Sequence, residues 1–150
     1  MQVKNTKIKY LNGKGLKAGI VMARWNSEIT EKLLESALSA LKKGGVSEKN
    51  IKIISVAGSV EIPFALHKLA KLNKNKRYDF LVALGCIIKG GTPHFDYVCK
   101  MAQEGILEVM LEDDMPVGFG ILTVNNIKQA RARTHVGGEA ALAALELALI

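Results

Sequence analysis

Short apolar runs alternate along the chain with stretches of helical spacing. Ala18 to Ala23 reads AGIVMA, the length and content of a buried strand. Asn26 or Ser27 is placed to cap the helix that follows. In that helix Ile29, Leu33, Ala37 and Leu41 recur on one face, and Gly44 and Gly45 stop it. Ile51 to Ala57 is a second strand, Gly58 marks a turn, and Pro63 suits the first turn of a helix running to about Leu72. Asp79 to Cys86 is the third and most apolar strand. Lys89-Gly90-Gly91-Thr92-Pro93 then forms a glycine loop into a third helix. Gly118 to Val124 is the fourth strand, and Asn125 or Asn126 caps a helix through Arg133. Gly137 and Gly138 break the chain, and Glu139 to Ile150 is a last, very apolar helix.

This alternation predicts an α/β fold: one domain over residues 1–150, with a four-stranded parallel sheet between two helical layers. Ligands of such sheets gather at the carboxyl ends of the strands. Those ends are Arg24-Trp25-Asn26, Gly58 to Glu61 and Gly85 to His94, and they hold the unusual chemistry of the chain. The last helix is Ala and Leu on nearly every side, which predicts burial against another subunit.

Composition narrows the function classes. With 150 residues, 49% hydrophobic and 23% charged, the chain has the make-up of a folded domain and not of a disordered one. No apolar run approaches the roughly 20 residues that cross a bilayer. Met1 to Tyr10 alternates Lys with other residues and has no apolar signal core, so a cytoplasmic protein is expected. The net charge of +7 raises the question of a nucleic-acid or membrane partner. Only 5% of residues are aromatic, and the positive charge is scattered. Its one dense run, Lys68, Lys71, Lys74, Lys76 and Arg77, follows an apolar helix whose carboxyl end cations complement. No membrane partner and no nucleic acid are therefore expected; a small anionic substrate suits the charge. Cys86 and Cys99 lack metal-ligand spacing and read as small hydrophobes.

Gly90-Gly91-Thr92-Pro93-His94 is the strongest chemical feature. Thr92 reads as an N-cap and Pro93 as the first helical residue. Glycines before a cap let backbone N–H groups approach a ligand, and a helix N-terminus favours anions. A plain tight turn is the competing reading. His94 falls on the first turn, where the helix dipole disfavours added positive charge and keeps an imidazole available as a base. Trp25, the only tryptophan, either stacks on a flat heterocycle or closes the core. Asn26 either caps a helix or binds a substrate hydroxyl, and Glu61 either complements a helix start or contacts substrate. Arg133 is a phosphate ligand or a surface residue, His67 a helix surface residue, and His135 part of a turn. No P-loop, dinucleotide fingerprint or nucleophile elbow is present. These residues imply a site for a phosphate-bearing substrate, with proton transfer by His94.

Several segments resemble the lumazine synthase family of riboflavin biosynthesis. They are Ala23 to Asn26, Gly58 to Pro63, Ala83 to Val98, Pro116 to Thr123 and Gln129 to Arg133. The resemblance runs from about Leu16 to Leu147 and implies a flavodoxin-like three-layer fold. It implies condensation of 5-amino-6-(D-ribitylamino)uracil with 3,4-dihydroxy-2-butanone 4-phosphate to 6,7-dimethyl-8-ribityllumazine, phosphate and water. Neither a metal nor a redox cofactor is implied. Trp25 matches the aromatic residue that stacks on the pyrimidine. Asn26, Ser59, Val60 and Glu61 match a substrate-binding wall, and Gly85, Cys86, Ile87 and Ile88 match its neighbour. Gly91 and Thr92 match the phosphate loop, and His94 the proton-transfer residue. Phe119 and Arg133 match residues supplied by an adjoining subunit, the arginine to phosphate. The family forms pentamers, some of them packed twelve to an icosahedral shell, so a homo-oligomer with interfacial sites is implied, with riboflavin synthase as a candidate partner. The chain departs from the family pattern at Ala57 and Val60, and after Arg133, where several residues and a phosphate-proximal lysine have no counterpart. A shell or lumazine-binding protein without turnover is the alternative. A riboflavin synthase of the same fold would have no use for Gly91, Thr92 and Arg133.

Overall fold

The computed structural model describes residues 11–72, 75 and 77–150. The first strand, β1 (Ala18–Ala23), leads into α1 (Ser27–Lys43), and β2 (Ile51–Val56) into α2 (Ile62–Ala70). Then come β3 (Phe80–Ile88), α3 (His94–Glu112), β4 (Val117–Val124), α4 (Ile127–Arg131) and α5 (Val136–Ala148). The strands form one parallel sheet in the order β2-β1-β3-β4, the flavodoxin-like arrangement that the family resemblance implies.

Strand periodicity divides the core in two. Ala18, Ile20, Phe80, Val82, Leu84 and Leu122 point to α1 and α5. Val21, Ala23, Leu81, Ala83, Val117 and Ile121 point to α2 and α3. The anticipated face of α1 (Ile29, Leu33, Ala37, Leu41) is fully buried, each large aliphatic side chain contributing about 1.5–3 kcal/mol. Strand β2 departs from a fully buried strand. It is the sheet's outer member, and its residues are partly or wholly exposed, with Ile53 on the surface.

Four local features differ from the sequence reading. Gly137 and Gly138 do not break the chain; they lie in the first turn of α5. A Cβ on Gly137 would run into the Leu33 carbonyl of α1, so glycine here permits close helix packing rather than a turn. Ser36 completes the join, its hydroxyl accepting from Gly138 N–H at 3.0 Å and donating to the His135 carbonyl at 3.3 Å. Second, part of the apolar surface of α5 is covered within the chain. Ala140, Ala141, Ala144 and Leu145 are buried in the core with α1 and β4, while Leu147 on the same helix stays exposed. Third, Glu48–Asn50 forms a single 3-10 turn before β2 that hydrophobic periodicity did not reveal. Fourth, α4 ends at Arg131, ahead of Arg133.

The cations Lys68 and Lys71 do sit at the end of α2, where Lys71 Nζ lies 3.2 Å from Asp113 and Lys68 lies over the Phe64 ring. Lys74, Lys76 and the segment Met1 to Tyr10 lie outside the described residues. No helix among the described residues is long and apolar enough to cross a membrane.

Candidate active site

The strands end at different heights, and this opens a cleft. Strand β3 pairs with β1 only as far as Leu84, but with β4 as far as Ile88. The stretch Gly85–Ile88 therefore has no strand neighbour on its β1 side. The cleft, about 440 Å³, lies there, at the point where the strand order reverses direction.

Three walls converge on it. The first follows β1. Arg24 N–H donates to the Val56 carbonyl at 2.8 Å and Trp25 N–H to the Ala57 carbonyl at 3.0 Å, so the chain stays tied to the end of β2. Trp25 is 75% exposed and lines the cleft, so it does not close the core. Asn26 adopts the left-handed conformation (φ 61°, ψ 48°), which asparagine tolerates better than most residues. Its side chain makes no cap bond to α1; its amide nitrogen instead donates to the Cys86 carbonyl at 2.8 Å.

The second wall is the 3-10 turn Ser59–Glu61. The Glu61 carboxylate accepts from Gly58 N–H at 3.0 Å and folds the turn. Ser59 is buried, and Val60 and Glu61 face the cleft. Gly85 does not line the cleft. A Cβ there would lie 2.5 Å from Ser59 Oγ, so its part is to let this turn press onto β3. Cys86, Ile87 and Ile88 do line it. Burial pushes the Cys86 thiol up to about 11, so it is a neutral wall group rather than a nucleophile.

The third wall is the glycine loop and the start of α3. The helix begins at His94 with Pro93 immediately before it, and neither residue gains a side-chain cap. Thr92 is thus not the N-cap that its position suggested. Pro93 is already in helical geometry, and its carbonyl accepts from Asp96 N–H at 3.0 Å. Gly90, Thr92 and His94 line the cleft, while Gly91 is exposed beside it. Phe95 and Val98 also line it; sequence reasoning missed them. The available signal was helical spacing, since Val98 lies one turn after His94 on the same face.

Besides Gly85 and Gly91, two further expected site residues do not line this cleft. Phe119, on β4, is 42% exposed and points elsewhere. Arg133 donates to the Gln129 carbonyl at 2.9 Å beyond α4. Nearby, Arg131 pairs with Glu28 at 2.7 Å, which holds the Glu28 carboxyl below its ordinary range. His67 is not a bare surface residue: its Nδ1 lies 2.8 Å from Asp113. The hydrogen bond from His67, then that from Lys71, lowers the Asp113 pKa. His135, read as part of a turn, stands directly before α5, its ring 3.9 Å from Glu139. Among the described residues no group of three or more His, Cys, Asp and Glu side chains gathers as metal ligands would.

The cleft thus combines an exposed indole, a carboxylate-bearing turn, free strand backbone and a histidine at a helix start. The family model for 6,7-dimethyl-8-ribityllumazine synthase matches residues 15–150. A 6,7-dimethyl-8-ribityllumazine synthase from Desulfovibrio desulfuricans is 45% identical over 141 residues, covering 91% of this chain and 88% of that protein. The chain that builds this cleft belongs to the 6,7-dimethyl-8-ribityllumazine synthase family.

Proposed function

We propose that the cleft between Trp25 and His94 is where this enzyme condenses 5-amino-6-(D-ribitylamino)uracil with 3,4-dihydroxy-2-butanone 4-phosphate. The observation that carries the reading is the convergence of the three walls on the β1/β3 opening. The pyrimidine stacks on Trp25, and its polar edge meets the backbone of Cys86–Ile88 on the side that has no strand neighbour. The ribityl chain lies along Ser59–Glu61. The phosphate of the second substrate sits at Gly90–Thr92, where backbone N–H groups and the α3 N-terminus favour an anion.

The amine of the pyrimidine adds to the ketone, and loss of water gives an imine. Elimination releases inorganic phosphate. The ribitylamino nitrogen then closes the ring on the new carbonyl, and a second water leaves. Each step moves a proton, and His94 relays it from the first turn of α3. Holding the two substrates aligned supplies much of the acceleration.

Phe119 and Arg133 act in this reading on a neighbouring subunit's cleft, Arg133 as a phosphate ligand. Their placement away from their own cleft supports this. So do the exposed apolar side chains Tyr97, Met101 and Leu111 of α3, interspersed with Glu104 and Glu108 and left without cover in the single chain. The working form is then a cytoplasmic homo-oligomer, a pentamer or a shell of pentamers, able to associate with riboflavin synthase.

Turnover tests the reading. Purified protein is mixed with both substrates, and lumazine and phosphate are followed together. Equal amounts of both, above the spontaneous rate, are expected. Pyrimidine binding with no rate above background would overturn it in favour of a shell or lumazine-binding protein.

A further inference from the structure

We propose that Asn26 is a positioning residue: its side-chain amide fastens the Trp25 turn to the stretch of β3 that outruns β1 and holds the indole over the cleft before substrate arrives. The inference rests on the reading of Trp25 as the stacking platform.

Three observations carry it. Strand β1 ends at Ala23, and its ladder with β3 ends at the Met22–Leu84 pair. Beyond that pair β3 has no main-chain partner on this side, and Asn26 Nδ2, at 2.8 Å, takes the place of a strand N–H on the Cys86 carbonyl. Second, Asn26 divides its functions. Its main-chain carbonyl starts α1 by accepting from Ile29 and Thr30 N–H at 2.9 and 3.1 Å. Its side chain is then free to reach β3, and the left-handed backbone aims it there. Third, Trp25 has little packing to hold it. The main-chain ties of Arg24 and Trp25 both run to the β2 side. Asn26 supplies the tie on the opposite side, so the turn is held from both flanks and the indole loses freedom to swing.

Trp25 is the only tryptophan, so its fluorescence reports the turn directly. Asn26→Gly keeps the left-handed backbone and removes the amide. Asn26→Asp keeps the shape, removes the donor and sets a carboxylate against the Cys86 carbonyl. The test is time-resolved anisotropy of each folded variant, without ligand, beside KM and kcat for both substrates. Both variants are expected to give Trp25 a larger fast-decaying component than the unaltered protein. KM for the pyrimidine should rise about tenfold, equivalent to about 1.4 kcal/mol of binding, while KM for the butanone phosphate stays near its original value. Unchanged anisotropy with a raised KM would make Asn26 a direct substrate contact; unchanged anisotropy with unchanged KM would make the bond incidental. Either overturns the proposal. In the unaltered protein, the Asn26 side-chain amide protons should exchange with solvent more slowly in NMR than those of exposed Asn12, and equal exchange would also overturn it. The anisotropy and exchange arms need no turnover, so a protein without synthase activity would fail the functional reading and still test this one.

Discussion

Glycine is used for opposite reasons in two regions of this molecule. At the cleft rim, a Cβ on Gly90 or Gly91 would meet nothing within 4 Å. In the wall formed by α1, α5 and β4, a Cβ on Gly137 would run into the Leu33 carbonyl, and one on Gly118 into the Ala140 carbonyl. The rim glycines leave room for something outside the chain. The wall glycines remove side chains so that backbones touch. One region is built to bind, the other to hold the sheet at a fixed distance from its helices, and composition alone does not separate them.

The largest way to break this contrast is Gly137→Ala or Gly118→Ala. Backbone must move in either, so each is expected to cost about 1–3 kcal/mol or more, read as a lower urea midpoint. Stability equal to that of the unaltered protein would mean that the helices are not in contact there. Next is His94→Ala at the rim, expected to slow turnover by roughly tenfold or more while the melting temperature holds. A variant as fast as the original would remove His94 from the proton relay. Arg133→Ala should raise KM for the butanone phosphate and leave pyrimidine binding alone; an unchanged KM would make Arg133 structural. Gly91→Ala sharpens the comparison most directly. It should leave stability within about 0.5 kcal/mol, with any loss confined to KM for the phosphate substrate.

The smallest expected effect lies far from both regions. Hydrogen bonds from His67 and Lys71 depress the folded-state pKa of Asp113. A depressed carboxyl contributes stability above its unfolded pKa of about 3.9 and loses it as pH falls through the folded value. Asp113→Asn should therefore flatten the stability curve below about pH 4 and lower stability slightly at neutral pH. An acid limb identical to the original would show that the His67 and Lys71 contacts add nothing in solution.

Much of the fold was legible because it rests on local periodicity. The apolar runs and the α1 face came from spacing that burial alone imposes. The glycine loop, Trp25, Glu61 and His94 were legible as chemistry at strand ends, because parallel sheets expose ligands there. What failed did so for two reasons. Gly137 and Gly138 looked like a break, since the sequence does not say which carbonyl lies opposite a glycine. Phe95 and Val98 were missed as cleft residues because ordinary helix interiors have the same composition.

The sequence by itself determined the α/β alternation, the parallel sheet and the family, since each follows from order and identity along the chain. Only the tertiary structure decided that β3 outruns β1, and that Asn26 bonds to Cys86 rather than capping α1. Strand ends, close backbone approaches and hydrogen bonds between residues sixty positions apart depend on how elements stack in space. Local pattern carries no distance between them.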